Sequence, residues 1–248
     1  MERLAGARRL LWQSASGANR RQHSVAQSAC VRLLPGLVST PRLSIPMLHP
    51  AAVPIAVREV LQTLAPGLVD TGFSLAGGTS LALRFGHRIS VDLDFFTIGE
   101  FEPESLIRRL EMLPGQVMDR ADGTLQLLVQ GVKIDFLRHA YPLLEAPEVL
   151  DGIKILSIAD VAAMKLHAIT NRGSKKDFYD LQMLLPHYPL PALLDAYCAK
   201  YAVVNRFMVI RSLAWFDDAE HEPDPVSLAQ VTWPAVKAEI SKAVAELG

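Results

Sequence analysis

Two aspartates, Asp92 and Asp94, occupy alternate positions in a run of otherwise apolar residues. Residues two apart in a strand share a face, so both carboxylates point the same way while Val91, Leu93 and Phe95 pack on the other side. Neighbouring like charges cost stability unless a cation lies between them, and carboxylates completed by phosphates and water suit Mg²⁺. The spacing therefore predicts a metal-binding carboxylate pair.

A third carboxylate, Asp135, lies alone in the apolar stretch 132–138, which Gly131 joins to another strand pattern at 124–130. The two stretches predict an antiparallel strand pair. If the strand of Asp135 lies beside that of Asp92 and Asp94, three carboxylates converge. Such a cluster can hold two metal ions about 3.5–4 Å apart for in-line displacement at phosphorus.

A glycine-hydroxyl turn precedes the aspartates. A short strand, 73–76, runs into Gly77 and Gly78, and a helix is predicted to start directly after them at Thr79. Glycines allow a ligand to approach the backbone, and the amides at a helix start, with the Thr79 and Ser80 hydroxyls, form a phosphate cradle. The alternative is a tight strand-to-helix turn in which a hydroxyl only caps the helix.

The sequence after residue 156 predicts mostly helices. Ser157 and Asp160 form the start of a strong helix, 157–171, whose apolar stripe includes Lys165. A lysine there either extends to solvent or points its ammonium group into a site for anions, and methionine at 165 is expected to pack at least as well. Ser174 and Asp177 predict a second capped start, in which Asp180 could pair with Lys176 four residues earlier. The predicted helices are 56–64, 79–85, 103–112, 157–171, 174–184, 190–200, 204–216 and 233–247, with strands at 73–76, 91–96, 124–130 and 132–138.

Composition restricts the class of protein. The chain has 248 residues, a formal charge of −1 and two cysteines, Cys30 and Cys198, which excludes a disulfide scaffold and fits a reducing cytoplasm. No apolar run has the ~18 residues of a membrane helix. Residues 1–46 hold seven arginines and one acid, Glu2, and are predicted to be a disordered extension or a transit peptide. The rest divides into an α/β domain, 47–156, and a helical part, 157–248, that completes the site.

These motifs, in this order, resemble the AbiEii/AbiGii-type toxin nucleotidyltransferases of the polymerase-β-like superfamily. The residues that carry the resemblance are Gly77-Gly78-Thr79-Ser80, Arg88-Ile89-Ser90-Val91-Asp92-Leu93-Asp94-Phe95, Lys165 with Arg172, and Lys176-Asp177-Phe178-Tyr179-Asp180-Leu181. The resemblance implies an α+β fold, in which a small mixed sheet with flanking helices is followed by a helical C-terminal part.

The resemblance also implies roles for particular residues. Gly78 and Ser80 would hold a triphosphate, Asp92 and Asp94 would bind Mg²⁺, and Lys165 and Asp177 would complete the site, while Asp135 enters by the strand argument alone. The predicted catalytic residues are Asp92, Asp94, Asp135, Lys165 and Asp177; the nucleotide-binding residues are Gly77, Gly78, Thr79, Ser80 and Lys165; and the metal ligands are Asp92, Asp94 and Asp135.

The implied activity is Mg²⁺-dependent transfer of a nucleoside monophosphate from an NTP to a hydroxyl acceptor such as a tRNA end, opposed by a cognate antitoxin. Two alternatives remain open: transfer to a small molecule of the antibiotic type, and a nucleotide-binding module without turnover. We expect Ser80→Ala and Gly78→Val to weaken NTP binding more than folding. If the Lys165 ammonium group faces the nucleotide phosphates, Lys165→Met is expected to lower transfer by orders of magnitude while stability stays unchanged or rises. If Lys165 extends to solvent, the same variant is expected to change neither.

Overall fold

A mixed sheet of seven strands forms the platform of the fold in the computed structural model, which describes residues 49–110 and 115–248. The strands lie in the order β3-β4-β5-β2-β1-β7-β6; β2 pairs with β5, and β1 with β7, in parallel, and the other neighbours are antiparallel. Their bounds are β1 Ser74–Leu75, β2 Leu93–Thr97, β3 Gln116–Ala121, β4 Thr124–Val129, β5 Val132–Arg138, β6 Glu148–Leu150 and β7 Ile153–Ile155.

Helices flank this sheet and make up the C-terminal part of the chain. After a short 3-10 helix, Pro50–Ala52, the α-helices are α1 Ile55–Leu68, α2 Gly77–Phe85, α3 Pro103–Arg109, α4 Ile158–Asn171, α5 Lys175–Leu184, α6 Leu190–Tyr201, α7 Phe207–Leu213, α8 Asp217–Glu220 and α9 Trp233–Ala245. The predicted division between an α/β part and a helical part falls between β7 and α4.

Alternation along β2 separates the core from the face that carries the carboxylates. Leu93 and Phe95 are buried against α1, in a cluster that includes Phe136 of β5, whose ring stacks on Phe95 with centroids 5.2 Å apart. Asp94 and Phe96 point to the opposite face. Phe96 packs there against a second apolar cluster, formed mainly by α4–α7 and α9.

The alternation predicts that Val91 packs on the apolar side of the strand, but the structure does not place it there. Strand β2 begins only at Leu93, and the Val91 side chain is exposed. The backbone before Leu93 is held by Thr79, whose hydroxyl donates to the Asp92 carbonyl, and not by a neighbouring strand. The apolar face of β2 therefore starts two residues later than predicted.

The N-cap predicted for α4 is confirmed. Ser157 is the N-cap and its hydroxyl accepts from the Asp160 amide at 3.0 Å. The Asp160 carboxylate is fully buried and accepts from Lys200 at 2.6 Å and from the Leu144 amide at 3.1 Å. The first turn of α4 thus anchors both α6 and the segment that follows β5.

Other predicted elements differ at their ends. The helix α2 begins at Gly77 instead of Thr79, so that both glycines lie in its first turn. The strands β3, β6 and β7 and the α8 turn have no counterpart among the predicted elements. Every residue of β3 is exposed, so this strand shows no alternation of burial. Residues 1–46 and the predicted end of the 103–112 helix lie outside the described residues. Within 49–110 and 115–248, no helix is both long and apolar enough for a membrane span.

Candidate active site

Two of the predicted carboxylates are neighbours across a strand pair. The parallel ladder between β2 and β5 sets Asp94 opposite Asp135, and Asp92 lies two residues before Asp94. Neighbouring strands lie about 4.8 Å apart. The register therefore brings Asp94 and Asp135 side by side on the sheet face opposite α1.

The pKa of Asp94 reflects the closeness of the other carboxylates. Desolvation raises the pKa of Asp94, and the charges of Asp135 and Asp92 raise it further, while Lys165 and Lys176 act in the opposite direction. Like carboxylates disfavour one another's ionised form. A cation placed between Asp94 and Asp135 would offset both the desolvation of Asp94 and the repulsion between the carboxylates.

The first glycine of the turn makes room for Asp94. Gly77 has φ +64°, and a Cβ built on it would lie 2.2 Å from Asp94 Oδ2. The Ala76 amide donates to the Asp94 carbonyl at 2.8 Å, which fixes the turn against β2. Only glycine satisfies both the left-handed backbone and the close approach of the carboxylate.

We expect Gly77→Ala to lower transfer at least about tenfold, because the new methyl group must displace the Asp94 carboxylate. Gly131→Ala is the matched control, since Gly131 has φ +79° and a Cβ there would meet nothing within 4 Å. Both variants should lose about 1–2 kcal/mol of stability from the left-handed backbone. Equal transfer rates in the two variants would show that the Gly77 contact with Asp94 does not matter.

The second glycine has a different neighbour. A Cβ on Gly78 would lie 2.2 Å from Nη2 of Arg88. Arg88 is itself buried and donates from Nε and Nη2 to the two oxygens of Asp180, at 2.7 and 2.8 Å. A valine at position 78 would therefore disturb a buried ion pair, and the structure predicts a loss of folding stability that the turn pattern does not indicate.

Both hydroxyls of the turn are buried and bonded to protein groups. Ser80 donates to the Gly77 carbonyl at 2.9 Å, and Thr79, besides its bond to Asp92, lies 2.8 Å from the Ser90 hydroxyl. These bonds shape the turn. The Ser80 amide donates to the Ala76 carbonyl at 3.3 Å. The amides of the three residues before it precede the first acceptor of the helix, so they are the groups of this turn that remain for a phosphate.

Lys165 lies on the inward face of α4, and two aspartates of α5 surround its ammonium group. It is 2.9 Å from Asp177 Oδ1 and 2.6 Å from Asp180 Oδ2. Arg172 also forms an ion pair with Asp177: its Nε donates to Oδ2 at 2.9 Å and its Nη2 to Oδ1 at 3.2 Å. Lys165 thus faces anionic groups, as one of the two predictions has it, and these groups are the carboxylates of Asp177 and Asp180.

Two local pairings expected in α5 are wrong. Asp177 does not cap the helix with Ser174, because the Ser174 hydroxyl donates to Glu222 Oε2 at 2.8 Å. Asp180 does not pair with Lys176: it is fully buried against Lys165 and Arg88, whereas Lys176 lies 4.0 Å from Asp92 Oδ2. Long-range partners outcompete the local ones, because a buried carboxylate needs buried counter-charges.

The buried carboxylates stay ionised. Burial opposes the charged form of Asp180, but Lys165 and Arg88 outweigh it and hold its pKa well below the ordinary value. For Asp177, burial is likewise outweighed by Lys165 and Arg172, so its pKa is lowered. Burial would lower the pKa of Lys165, yet the two aspartates raise it.

Three residues around the site carry roles that the sequence patterns did not assign. Lys133 Nζ lies 2.6 Å from Asp135 Oδ2, Arg88 holds Asp180, and His87 Nε2 lies 2.8 Å from Asp180 Oδ1. The period of two along β5 places Lys133 on the face of Asp135 and could have identified it. No local signal connects positions 87 and 88 with an aspartate more than 90 residues later.

The carboxylate group suits Mg²⁺ in its donor chemistry. Asp135 Oδ1 is buried without a hydrogen-bond partner, and the crowding of Asp94 calls for a nearby cation. Within the described ranges, no three His, Cys, Asp or Glu side chains are arranged to hold a metal ion by themselves. The predicted metal site made by Asp92, Asp94 and Asp135 together is therefore not found there, and the in-register pair Asp94 and Asp135 remains as the candidate for Mg²⁺, which can take its other ligands from phosphates and water.

Comparison with known sequences identifies a family and a relative of this chain. The profile of the family described as "Nucleotidyl transferase AbiEii toxin, Type IV TA system" matches residues 59–246. An uncharacterized protein of Aquifex aeolicus (strain VF5) is 40% identical over 172 residues, which cover 66% of this chain and 84% of that protein.

Two solved structures show the same fold. MenT4, the nucleotidyltransferase toxin Rv2826c of Mycobacterium tuberculosis H37Rv, superimposes with a TM-score of 0.57 at 20% identity over 78% of this chain and 82% of its own. JHP933 from Helicobacter pylori gives a TM-score of 0.52 at 17% identity over 81% of this chain and 93% of its own. With the family profile matched over most of its length, this chain belongs to the AbiEii nucleotidyl transferase toxin family and is a nucleotidyltransferase.

Proposed function

We propose that this chain transfers a nucleoside monophosphate from an NTP to the hydroxyl group at a tRNA end, with Mg²⁺ as cofactor. The observation that carries the proposal is the in-register pair Asp94 and Asp135, set against the glycine turn of α2. A carboxylate pair beside a helix N-terminus joins a metal-ligand set to a phosphate-binding element. Nucleotidyl transfer requires both.

In the proposed reaction the acceptor oxygen forms a bond to the α-phosphorus while the bond from that phosphorus to the bridging oxygen breaks, and pyrophosphate leaves. The acceptor proton passes to the carboxylate of Asp135. Asp94 and Asp135 would hold Mg²⁺, which when bound neutralises charge on the phosphates. The amides of the first turn of α2 bind and orient the triphosphate.

The cations at the rim of the site suit a polyanionic substrate. The side chains of Lys133, Arg172 and Lys176 are each about half exposed, at 48%, 57% and 48%. Each is close enough to solvent to exchange its carboxylate partner for a phosphate. The buried Lys165 differs from them, because Asp177 and Asp180 already neutralise it.

A nucleic-acid acceptor is the choice that accords with a toxin, since modification of a tRNA end would stop translation. The family description places such toxins in type IV toxin–antitoxin systems. We therefore propose that a cognate antitoxin opposes this activity in the cytoplasm.

The decisive experiment incubates the full chain with each α-³²P-labelled NTP and separate pools of total RNA, protein and small molecules. We expect label in the tRNA fraction with Mg²⁺ and none with EDTA, because the carboxylates then lack the cation that lets phosphates approach. Label only in the small-molecule pool would contradict the tRNA assignment. Binding of NTP without transfer to any pool would contradict the enzymatic proposal.

A further inference from the structure

A segment that follows α8, residues 221–229, contacts two separate parts of the candidate site, and we call it the C-terminal strap. Its first contact is with the start of α5. Glu222 Oε2 accepts from the Ser174 hydroxyl at 2.8 Å and from the Lys175 amide at 2.7 Å. Ser174 is the N-cap residue of α5, so its hydroxyl is bonded to Glu222 instead of to an amide of the helix. A carboxylate 47 residues after Lys175 therefore caps this helix.

Lys175 fastens the strap to α5 a second time. Its side chain is buried, and its ammonium group donates to the Glu222 carbonyl at 2.5 Å and to Asp224 Oδ1 at 2.9 Å. The same ammonium group lies 5.2 Å from the centre of the Trp233 ring, at the start of α9, where a cation is attracted to the ring face. Both the amide and the side chain of Lys175 thus bind Glu222, which holds the strap in one position against the first turn of α5.

The second contact of the strap is with the loop between α2 and β2. The Ile89 amide donates to the Val226 carbonyl at 2.9 Å, and the Leu228 amide donates to the His87 carbonyl at 2.9 Å. Arg88 lies between these two bonds, and its side chain reaches both α5 and the glycine turn. The strap therefore holds the backbone of the arginine that joins these two parts of the site.

The two contacts lie on either side of the charged groups of the site. The first turn of α5 carries Lys176, whose Nζ is 4.0 Å from Asp92 Oδ2 and whose charge also acts on Asp94. It carries Asp177 as well, which binds Lys165 at 2.9 Å. The loop on the other side leads through Asp92 into β2. Because one short segment bonds to both, it fixes the first turn of α5 relative to the strand that carries Asp94.

We propose that Glu222 is a positioning residue for nucleotidyl transfer, a role that rests on the proposed function. By capping α5, it places the first turn of that helix, and with it the ammonium group of Lys176, beside the carboxylates of β2. Glu222 acts through the helix and not on a reacting atom. Its loss should therefore slow the chemical step, since a displacement of about 1 Å in such a group can cost about a hundredfold in rate. The triphosphate, which the amides of α2 hold, should still bind.

The test measures kcat and the KM for NTP with the full chain, Mg²⁺ and total tRNA, at a temperature at which circular dichroism shows the variants folded. Glu222→Ala should lower kcat at least about tenfold, while the KM for NTP changes less than about twofold. Glu222→Gln keeps an oxygen that can accept both bonds, so it should restore kcat to nearly the wild-type value.

Glu239→Ala is the matched control. Glu239, on α9, also bonds to α5, but near the other end of the helix, where its Oε2 accepts from Gln182 at 2.7 Å. Its loss should change neither kcat nor KM. Ser174→Ala removes only one of the two bonds to Glu222 and should lower kcat by a smaller factor, which covers the case in which Glu222→Ala does not fold.

Full kcat in a folded Glu222→Ala variant, or in Ser174→Ala when Glu222→Ala does not fold, would overturn the inference. An equal fall in kcat for Glu222→Ala and Glu239→Ala would also overturn it, because any loosening of α5 would then have the same effect. A raised KM with unchanged kcat would assign Glu222 to binding instead of positioning. These results require an active wild type. If the wild type transfers no label, the proposed function itself fails, and this inference fails with it.

Discussion

Lys165→Met should destabilise the fold by about 3–5 kcal/mol, because it leaves two buried carboxylates short of a counter-charge. The Lys165 ammonium lies within 2.9 Å of both Asp177 and Asp180, and both aspartates are fully buried. Thermal or urea unfolding of the purified variant measures the effect. The apolar stripe of α4 predicts the opposite result, unchanged or increased stability, since it does not reveal the partners of the lysine.

Two further variants make this prediction sharp. Lys242→Met, which removes a lysine whose ion pair with Glu246 is exposed on α9, should change stability by less than about 1 kcal/mol. Lys165→Met combined with Asp177→Asn should recover part of the loss, because one uncompensated buried charge is removed. If Lys165→Met unfolds at the same temperature as the wild type, the buried network does not stabilise the fold.

The stability difference between wild type and Lys165→Met should depend on pH in a defined window. The folded-state pKa values of Asp177 and Asp180 are lowered, so their stabilisation is present above the unfolded value of about 3.9 and is lost as pH falls through the folded values. The pKa of Lys165 is raised, so its contribution is present below about 10.4 and is lost as pH rises further. The difference should therefore be largest between these limits.

Asp94→Asn should lower nucleotidyl transfer by at least about a thousandfold, while the melting temperature stays the same or rises. Asp94 is the carboxylate that lies against the glycine turn and beside Asp135. Desolvation and the neighbouring carboxylates raise its folded pKa, so its charged form costs stability above the unfolded value of about 3.9, and a neutral amide removes that cost.

Asp119→Asn is the control for Asp94→Asn, since Asp119 is an exposed aspartate on the edge strand β3. Transfer of label from NTP and thermal unfolding are measured on the same preparations. A normally folded Asp94→Asn variant that retains near-wild-type transfer would show that the β2–β5 carboxylates are not the reactive site. Loss of both transfer and stability would instead assign Asp94 a structural role.

Local periodicity was sufficient for several features of the site. Alternation predicts that Asp94 lies on the face opposite Leu93 and Phe95, and the N-cap pattern of Ser157 predicts where α4 begins. The stripe of α4 predicts that Lys165 points inward, where it is in fact buried. These features depend on the geometry of a single strand or helix, which residues a few positions apart determine.

Tertiary structure alone decided which groups meet. That Asp135 pairs with Asp94, 41 residues earlier, follows from the parallel register of β2 and β5. That Gly78 lies under the guanidinium of Arg88, and that Asp180 takes Arg88 and Lys165 as partners, follows from packing between α2, α4 and α5. Periodicity specifies the direction of a side chain but not its neighbour, because the neighbour depends on how whole elements pack. For buried charges that neighbour determines the sign of a mutation's effect on stability.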